Sequence, residues 1–220
     1  MAVEQPPLQP GHTLLYTLRH GLTELNRSKR TGGRLDAPLI EEGRRQAEEA
    51  RTNFDGTRLD VVISSSLQRA IDTARIVTGW DRERILIDDL AVERSFGEME
   101  GLTQDEIRVR FPFVIYVPIE QVRYSLNPPG GESFEVLRAR ARAFLTKALE
   151  GHRGRRILIS SHQNFMQQLH GELRGLDPYA ALRYDIINLE LNQFHLDDGG
   201  RLLHHRVYHL CPDASRYPSF

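Results

Sequence analysis

The stretch TLLYTLRHG, residues 13–21, decides the fold class. Residues 13–18 are apolar and β-prone, without the polar alternation of a half-exposed strand. That pattern predicts a strand buried on both faces of a parallel sheet. LDVVISS (59–65) and RRILISS (155–161) read the same way. Helical patterns separate these runs. IEEGRRQAEEARTNF (40–54) opens with acids, while LQRAIDTARIVTGW (67–80) and SFEVLRARARAFLTKALEGH (133–152) place apolar residues at three- and four-residue steps. Gly79 and Gly151 mark the expected helix ends. Strands alternating with helices predict βαβ units, hence an α/β fold: a three-layer α/β/α sandwich around a mostly parallel central sheet. INLELNQFHL and LLHHRVYHL flank Asp-Asp-Gly-Gly and predict an antiparallel hairpin at a sheet edge.

The remaining organisation follows from size and composition. A chain of 220 residues suits one α/β domain, and at this size it buries roughly 70% of its unfolded surface. Residues 1–12 read as a disordered leader and 13–220 as the domain. Residues 81–131 read as an irregular excursion on the substrate side, with Pro112, Pro118 and an Asn-Pro-Pro-Gly-Gly turn. The 29 basic and 30 acidic residues nearly cancel, which gives no global reason for a nucleic-acid or anionic-membrane partner. MAVEQPPLQPGH lacks the basic start and apolar run of a signal peptide, and no apolar run reaches the ~20 residues of a membrane span. The single cysteine, Cys211, rules out an intrachain disulfide framework and fits a reducing compartment. The expectation is a cytoplasmic protein.

Three of the apolar strands end in something reactive. The first runs into Arg19-His20-Gly21, the second leads through Ser66-Leu67-Gln68 to Arg69, and the third runs into His162. Ligands of open α/β sheets bind beyond the carboxyl ends of the strands, so these groups are expected to converge there. Helix N-termini facing the same crevice favour an anion. Singly, each residue has an ordinary structural explanation; the paired strand-to-histidine junctions are what single the crevice out.

LRHGLTELN with the downstream RLDAPLIEEGRRQA resembles the signature of the histidine phosphatase superfamily, the phosphoglycerate mutase-like group. SSSLQRAIDTA is similar to that family's second block, AVERSFGEMEG to its acid-bearing segment, PPGGESF to its substrate-side turn and ISSH to its second-histidine strand. The resemblance implies that His20 is a nucleophile and that Arg19, Arg69 and His162 form a phosphate pocket. Asn26 would donate a further hydrogen bond. Glu93 would be the proton donor, with Glu98 and Glu100 as nearby alternatives. Thr31, Gly32, Arg94 and Gln163 complete the expected substrate contacts, and Gly21 is expected to let the phosphate approach the backbone closely.

These residue types suit phosphoryl transfer. A neutral imidazole attacks phosphorus and splits one hydrolysis into two easier steps through a phosphohistidine. Negative charge spreads over the equatorial oxygens, so fixed cations supply much of the rate: Arg19, Arg69 and, in this reading, a protonated His162. A general acid near neutrality needs a raised pKa, which burial of Glu93 favours and the neighbouring cations oppose. Neither metal nor organic cofactor is required. His204, His205 and His209 invite a zinc reading, but His205 and His209 alternate with Val207 as an ordinary half-buried strand pattern.

Within the family the fork lies between hydrolysis and transfer back onto a phosphoglycerate. The middle excursion is shorter than the basic, proline-rich insertion of the mutases, and GLT and PPGGES look more like the broad phosphatase branch. The expected substrate is a small phosphorylated metabolite, released as free phosphate. Mutase-type transfer and a non-catalytic phospholigand or protein-binding module are the alternatives. Two departures bear on substrate identity: Gln163-Asn164 stand where the family usually has glycines, and TGGRLDAPL carries one extra residue. The arginines of RARARAF (138–144) read as the polar stripe of a helix. The edge hairpin and the apolar run 111–118 each offer a surface for a homodimer.

Overall fold

The computed structural model describes residues 2–211. In chain order the elements are β1 (Thr13–Arg19), α1 (Glu24–Arg27), α2 (Glu41–Thr52), β2 (Val61–Ser64), α3 (Gln68–Thr78), β3 (Leu86–Ile87), α4 (Gln104–Arg110), β4 (Tyr116–Ile119), β5 (Val122–Ser125), α5 (Phe134–His152), β6 (Arg156–Ser161), α6 (Gln163–Arg174), β7 (Glu190–Leu196) and β8 (Leu202–His209). Six strands form one sheet in the order β3-β2-β6-β1-β7-β8. β1, β6, β2 and β3 run parallel, and β7 joins β1 antiparallel and carries β8 at the edge.

The apolar run of β1 fills both layers. Leu14, Tyr16 and Leu18 face a core built with Ala47 and Ala50 of α2 and Ala74 and Val77 of α3. Leu15 faces the opposite core, with Leu137, Ala141 and Phe144 of α5 and Phe165 and Leu169 of α6. The alternation of a strand thus serves two apolar faces at once, which is why the run shows no polar period. Register aligns Arg19 of β1 with Ser161 of β6, so His20 and His162 follow adjacent strand ends.

Several expectations change. Residues 3–8, expected to be disordered, lie against the body. Val3 and Leu8 pack on a core, the Val3 amide donates to Asn53 O at 2.8 Å, and Gln5 Nε2 donates to Asp55 O at 3.0 Å. Gly79 does cap α3 in the left-handed conformation, whereas Gly151 lies inside α5, which runs on to His152. The excursion is ordered. β3 joins the main sheet, and β4 and β5 form a separate hairpin turning at Glu120, whose φ is +52°. Phe111 and Val114 pack on Met99 and Ile107, while Phe113 and Ile115 are exposed.

Of the three arginines of α5, Arg142 is exposed and pairs with Glu172 at 3.0 Å, but Arg138 and Arg140 are not part of a solvated stripe. Arg138 is buried on Gln168 and Glu172. Arg140 donates to the carbonyls of Leu90, Val92 and Glu93 and to the Glu132 carboxylate. That clamp fixes the chain leading through Glu93. No helix among the described residues is long and apolar enough to cross a membrane.

Candidate active site

His20 follows the last residue of β1 and is buried. Its Nδ1 lies 2.7 Å from Gly21 O. A carbonyl only accepts, so Nδ1 carries the hydrogen and Nε2 of the neutral ring keeps its lone pair. Burial, then the charges of Arg69 and Arg19, hold the His20 pKa well below the ordinary 6.5. The ring is therefore neutral at physiological pH with a basic nitrogen available. Asn188 Nδ2 donates to His20 O at 2.7 Å and fixes this junction from the β7 side. Sequence patterning gave no signal for Asn188, because its role depends on a loop 168 residues away in the chain.

The second imidazole centroid lies 5.1 Å from the first. Arg69, the second residue of α3, donates from Nε to His162 Nδ1 at 3.2 Å. Its Nη1 and Nη2 bond Leu35 O and Gly33 O at 2.6 and 2.7 Å. His162 Nδ1 is therefore an acceptor, so Nε2 carries the proton toward Ser65 Oγ at 2.7 Å. Burial, then Arg69, lowers the His162 pKa well below 6.5. In the phosphate-free protein this ring is neutral, so the protonated His162 expected beside a phosphoryl group is not its resting form. Burial draws Arg69 down to about 10, which leaves it cationic. Arg19 is lowered by burial and supported by the charges of Asp185 and Glu93. One of its Nη atoms donates to Ile186 O.

Glu93 is buried against the N-terminus of α6. Oε1 accepts from the amides of Arg94 (2.7 Å) and Phe165 (3.1 Å), and Oε2 from that of Asn164 (3.2 Å). The two unpaired amides of the first turn of α6, with that of Arg94, hold the carboxylate in place. Glu100 is turned to the Phe96 amide at 2.9 Å, and Glu98 is exposed. Neither lines the cavity, whereas Glu93 does.

One cavity gathers Arg19, His20, Asn26, Arg69, Glu93 and Arg94, with Thr31, Gly32 and Gln163 on its walls. His162 is fully buried behind it, reached through Arg69. Asn26 Oδ1 accepts from the Thr23 amide and hydroxyl, which leaves Nδ2 as its uncommitted donor among the described residues. Gly21 does not line the cavity. A Cβ there would meet Gly43 O of α2 at 3.1 Å, so its smallness serves helix packing rather than phosphate approach. Gln163 and Asn164 open α6 in ordinary helical conformation, so neither position needs glycine. Gln163 Nε2 donates to Asp185 Oδ1 at 2.8 Å.

The cavity wall also includes Phe96, Tyr116, Arg123, Tyr124 and Ser125, the last four from the β4–β5 hairpin. The hairpin was not legible because its Glu120-Gln121 turn has none of the usual turn residues. Arg108 pairs with Asp105 and lies outside the cavity. His205 contacts Arg174 and Asn192 and stacks on Phe194 at 4.4 Å. Among the described residues no group of three or more His, Cys, Asp or Glu is placed to hold a metal.

The chain is 34% identical over 207 residues to a "bifunctional protein" of Mycobacterium tuberculosis, covering 88% of this chain. It spans only about half, 55%, of that relative's length. It is 31% identical over 194 residues to a 2,3-bisphosphoglycerate-dependent phosphoglycerate mutase of Parvibaculum lavamentivorans, covering 85% of this chain and 92% of the relative. The solved mycobacterial glucosyl-3-phosphoglycerate phosphatase superposes with a TM-score of 0.71 at 26% identity, over 89% of this chain and 97% of that one. The model of the histidine phosphatase superfamily, branch 1, matches residues 15–208, which take in the whole constellation from Arg19 to His162. The chain belongs to the histidine phosphatase superfamily.

Proposed function

We propose that this protein hydrolyses small phosphomonoesters through a phosphohistidine on His20. One observation carries the reading: the Gly21 carbonyl takes the Nδ1 hydrogen and leaves the Nε2 lone pair in a cavity walled by Arg19 and Arg69. Nε2 attacks phosphorus as the bond to the leaving oxygen breaks, and a proton that Glu93 takes up with the bound phosphate passes to the departing alkoxide. In the second step Glu93 takes a proton from water, the water oxygen bonds phosphorus, and the nitrogen–phosphorus bond breaks. Arg19, Arg69 and Asn26 neutralise and bind the equatorial oxygens. A bound dianion favours the imidazolium of His162 by the attraction opposite to the repulsion that Arg69 now exerts on it.

All the groups this cycle needs are present, which favours catalysis over a non-catalytic binding module. Mutase-type transfer is the second reading, and the similarity to a phosphoglycerate mutase over 92% of that relative favours keeping it. A panel of phosphomonoesters assayed with and without chelator tests the proposal. Chelator-resistant phosphate release is the expected result. Fast isomerisation of 3-phosphoglycerate in the presence of bisphosphoglycerate, without phosphate release, would assign transferase chemistry instead.

A further inference from the structure

Beside Glu93 the cavity is lined by residues whose buried polar atoms no described residue satisfies. Asn164 Oδ1, Ser125 Oγ and Arg94 Nη1 are buried and without a hydrogen-bond partner among the described residues. All three side chains are more than nine-tenths buried, and all three residues line the cavity. Orphaned buried polar atoms are rare because each forfeits its hydration, so three among the residues lining one cavity call for an explanation. They are close neighbours: Arg94 Nη2 donates to Ser125 O at 2.8 Å, and Glu93 joins the amides of Arg94 and Asn164.

Their hydrogen-bonding characters are fixed. Gln167 Nε2 donates to Tyr124 Oη and Tyr184 O, both at 2.9 Å, which sets its Oε1 as an acceptor. Asn164 Nδ2 donates to that Oε1 at 3.2 Å, so the amide cannot be flipped and Oδ1 is an acceptor only. Arg94 Nη1 is a donor only. Its Nε and Nη2 are committed to Glu132 O and Ser125 O, and Phe134 stacks under the guanidinium at 3.8 Å. Ser125 can donate or accept. The wall therefore asks a ligand for one donor and one acceptor beside the reacting ester.

We propose that Asn164, Ser125 and Arg94 form a leaving-group subsite that selects phosphomonoesters whose alcohol carries a second hydroxyl. That hydroxyl donates to Asn164 Oδ1 and accepts from Arg94 Nη1 or Ser125 Oγ. An alkyl leaving group of the same size leaves all three atoms unsatisfied, and sites built to bond a hydroxyl reject such analogues strongly. The subsite rests on the phosphatase reading for its role in turnover, but its binding is measurable without it.

The test compares glycerol 3-phosphate with n-propyl phosphate, which have three carbons each and differ in their hydroxyls. Calorimetry on the His20→Ala protein reads affinity without turnover. The expected preference for glycerol 3-phosphate is roughly ten- to a hundredfold, and Asn164→Leu in the same background should narrow it to within about threefold. Ser125→Ala supplies the same comparison should Asn164→Leu fail to fold. Equal affinities before any wall substitution, or variants that weaken both ligands by the same factor, would overturn the subsite. Absence of phosphate release by the unmutated chain, with the calorimetric preference intact, would sink the hydrolase reading and leave the subsite standing.

Discussion

Arg69 and His162 are joined by a 3.2 Å hydrogen bond in which the guanidinium Nε–H donates to imidazole Nδ1. With His20 Nδ1 committed to Gly21 O, the two neutral rings must hold opposite tautomers: Nδ1–H on His20 and Nε2–H on His162. Nitrogen-15 NMR distinguishes them. At pH 6.5 both rings should be neutral with those tautomers, because burial and the arginines hold both pKa values well below that pH. A half-protonated ring at pH 6.5 in the phosphate-free protein would contradict the assignment.

The same burial has a consequence for acid stability. His20, His162 and His170 all have folded pKa values well below the ordinary 6.5, with burial the first cause in each. Their contribution is fully present above pH 6.5. It is lost as pH falls, because the unfolded chain takes up protons that the folded chain refuses. Each histidine costs at most about 1.4 kcal/mol per pH unit below that point. Glu190, raised by burial, works in the opposite sense, one group against the lowered histidines. The urea midpoint should therefore fall between pH 6.5 and pH 5; a flat or rising midpoint would refute the neutral burial.

Gly43 sets the distance between α2 and the chain following His20. A Cβ there would lie 2.2 Å from Leu22 O. Alanine is intrinsically better than glycine in a helix by about 1 kcal/mol, yet Gly43→Ala should destabilise by about 1–3 kcal/mol because backbone must move. Chemical denaturation reads the sign directly, and a stabilised variant would show that the contact yields at no cost.

Glu93 is held by three amides, and glutamine can offer an acceptor on only one side. Glu93→Gln should lose about 1–3 kcal/mol of stability. It should also slow turnover of alkyl phosphates roughly 10²- to 10⁴-fold, with a much smaller effect on p-nitrophenyl phosphate, whose leaving group needs no proton. Equal losses on both substrates would remove Glu93 from the proton-donor role.

The parts legible in the sequence were those where local pattern and tertiary demand coincide. The uninterrupted runs of β1, β2 and β6 announce burial on two faces, and the strand ends place Arg19, His20 and His162 beside one another. α6 carried its signal in Phe165, Met166, Leu169 and Leu173 at helical spacing, masked by glutamines that are buried through hydrogen bonds. What escaped depends on contacts between distant segments. The protonation of His162 follows from the orientation of Arg69, whose Nη atoms are tied to the 33–35 loop. The role of Gly21 follows from where α2 lies. The leaving-group wall comes from a hairpin with no turn signature and an asparagine oriented by Gln167.

The central claim is that His20 Nε2 carries the phosphoryl group. Rapid acid-free quench of the protein with a phosphorus-32-labelled phosphomonoester tests it most directly. The expected result is a covalent label, stable in alkali and lost in mild acid, that disappears in a folded His20→Ala protein. A label that survives in that variant, or hydrolysis at full rate without His20, would contradict the account.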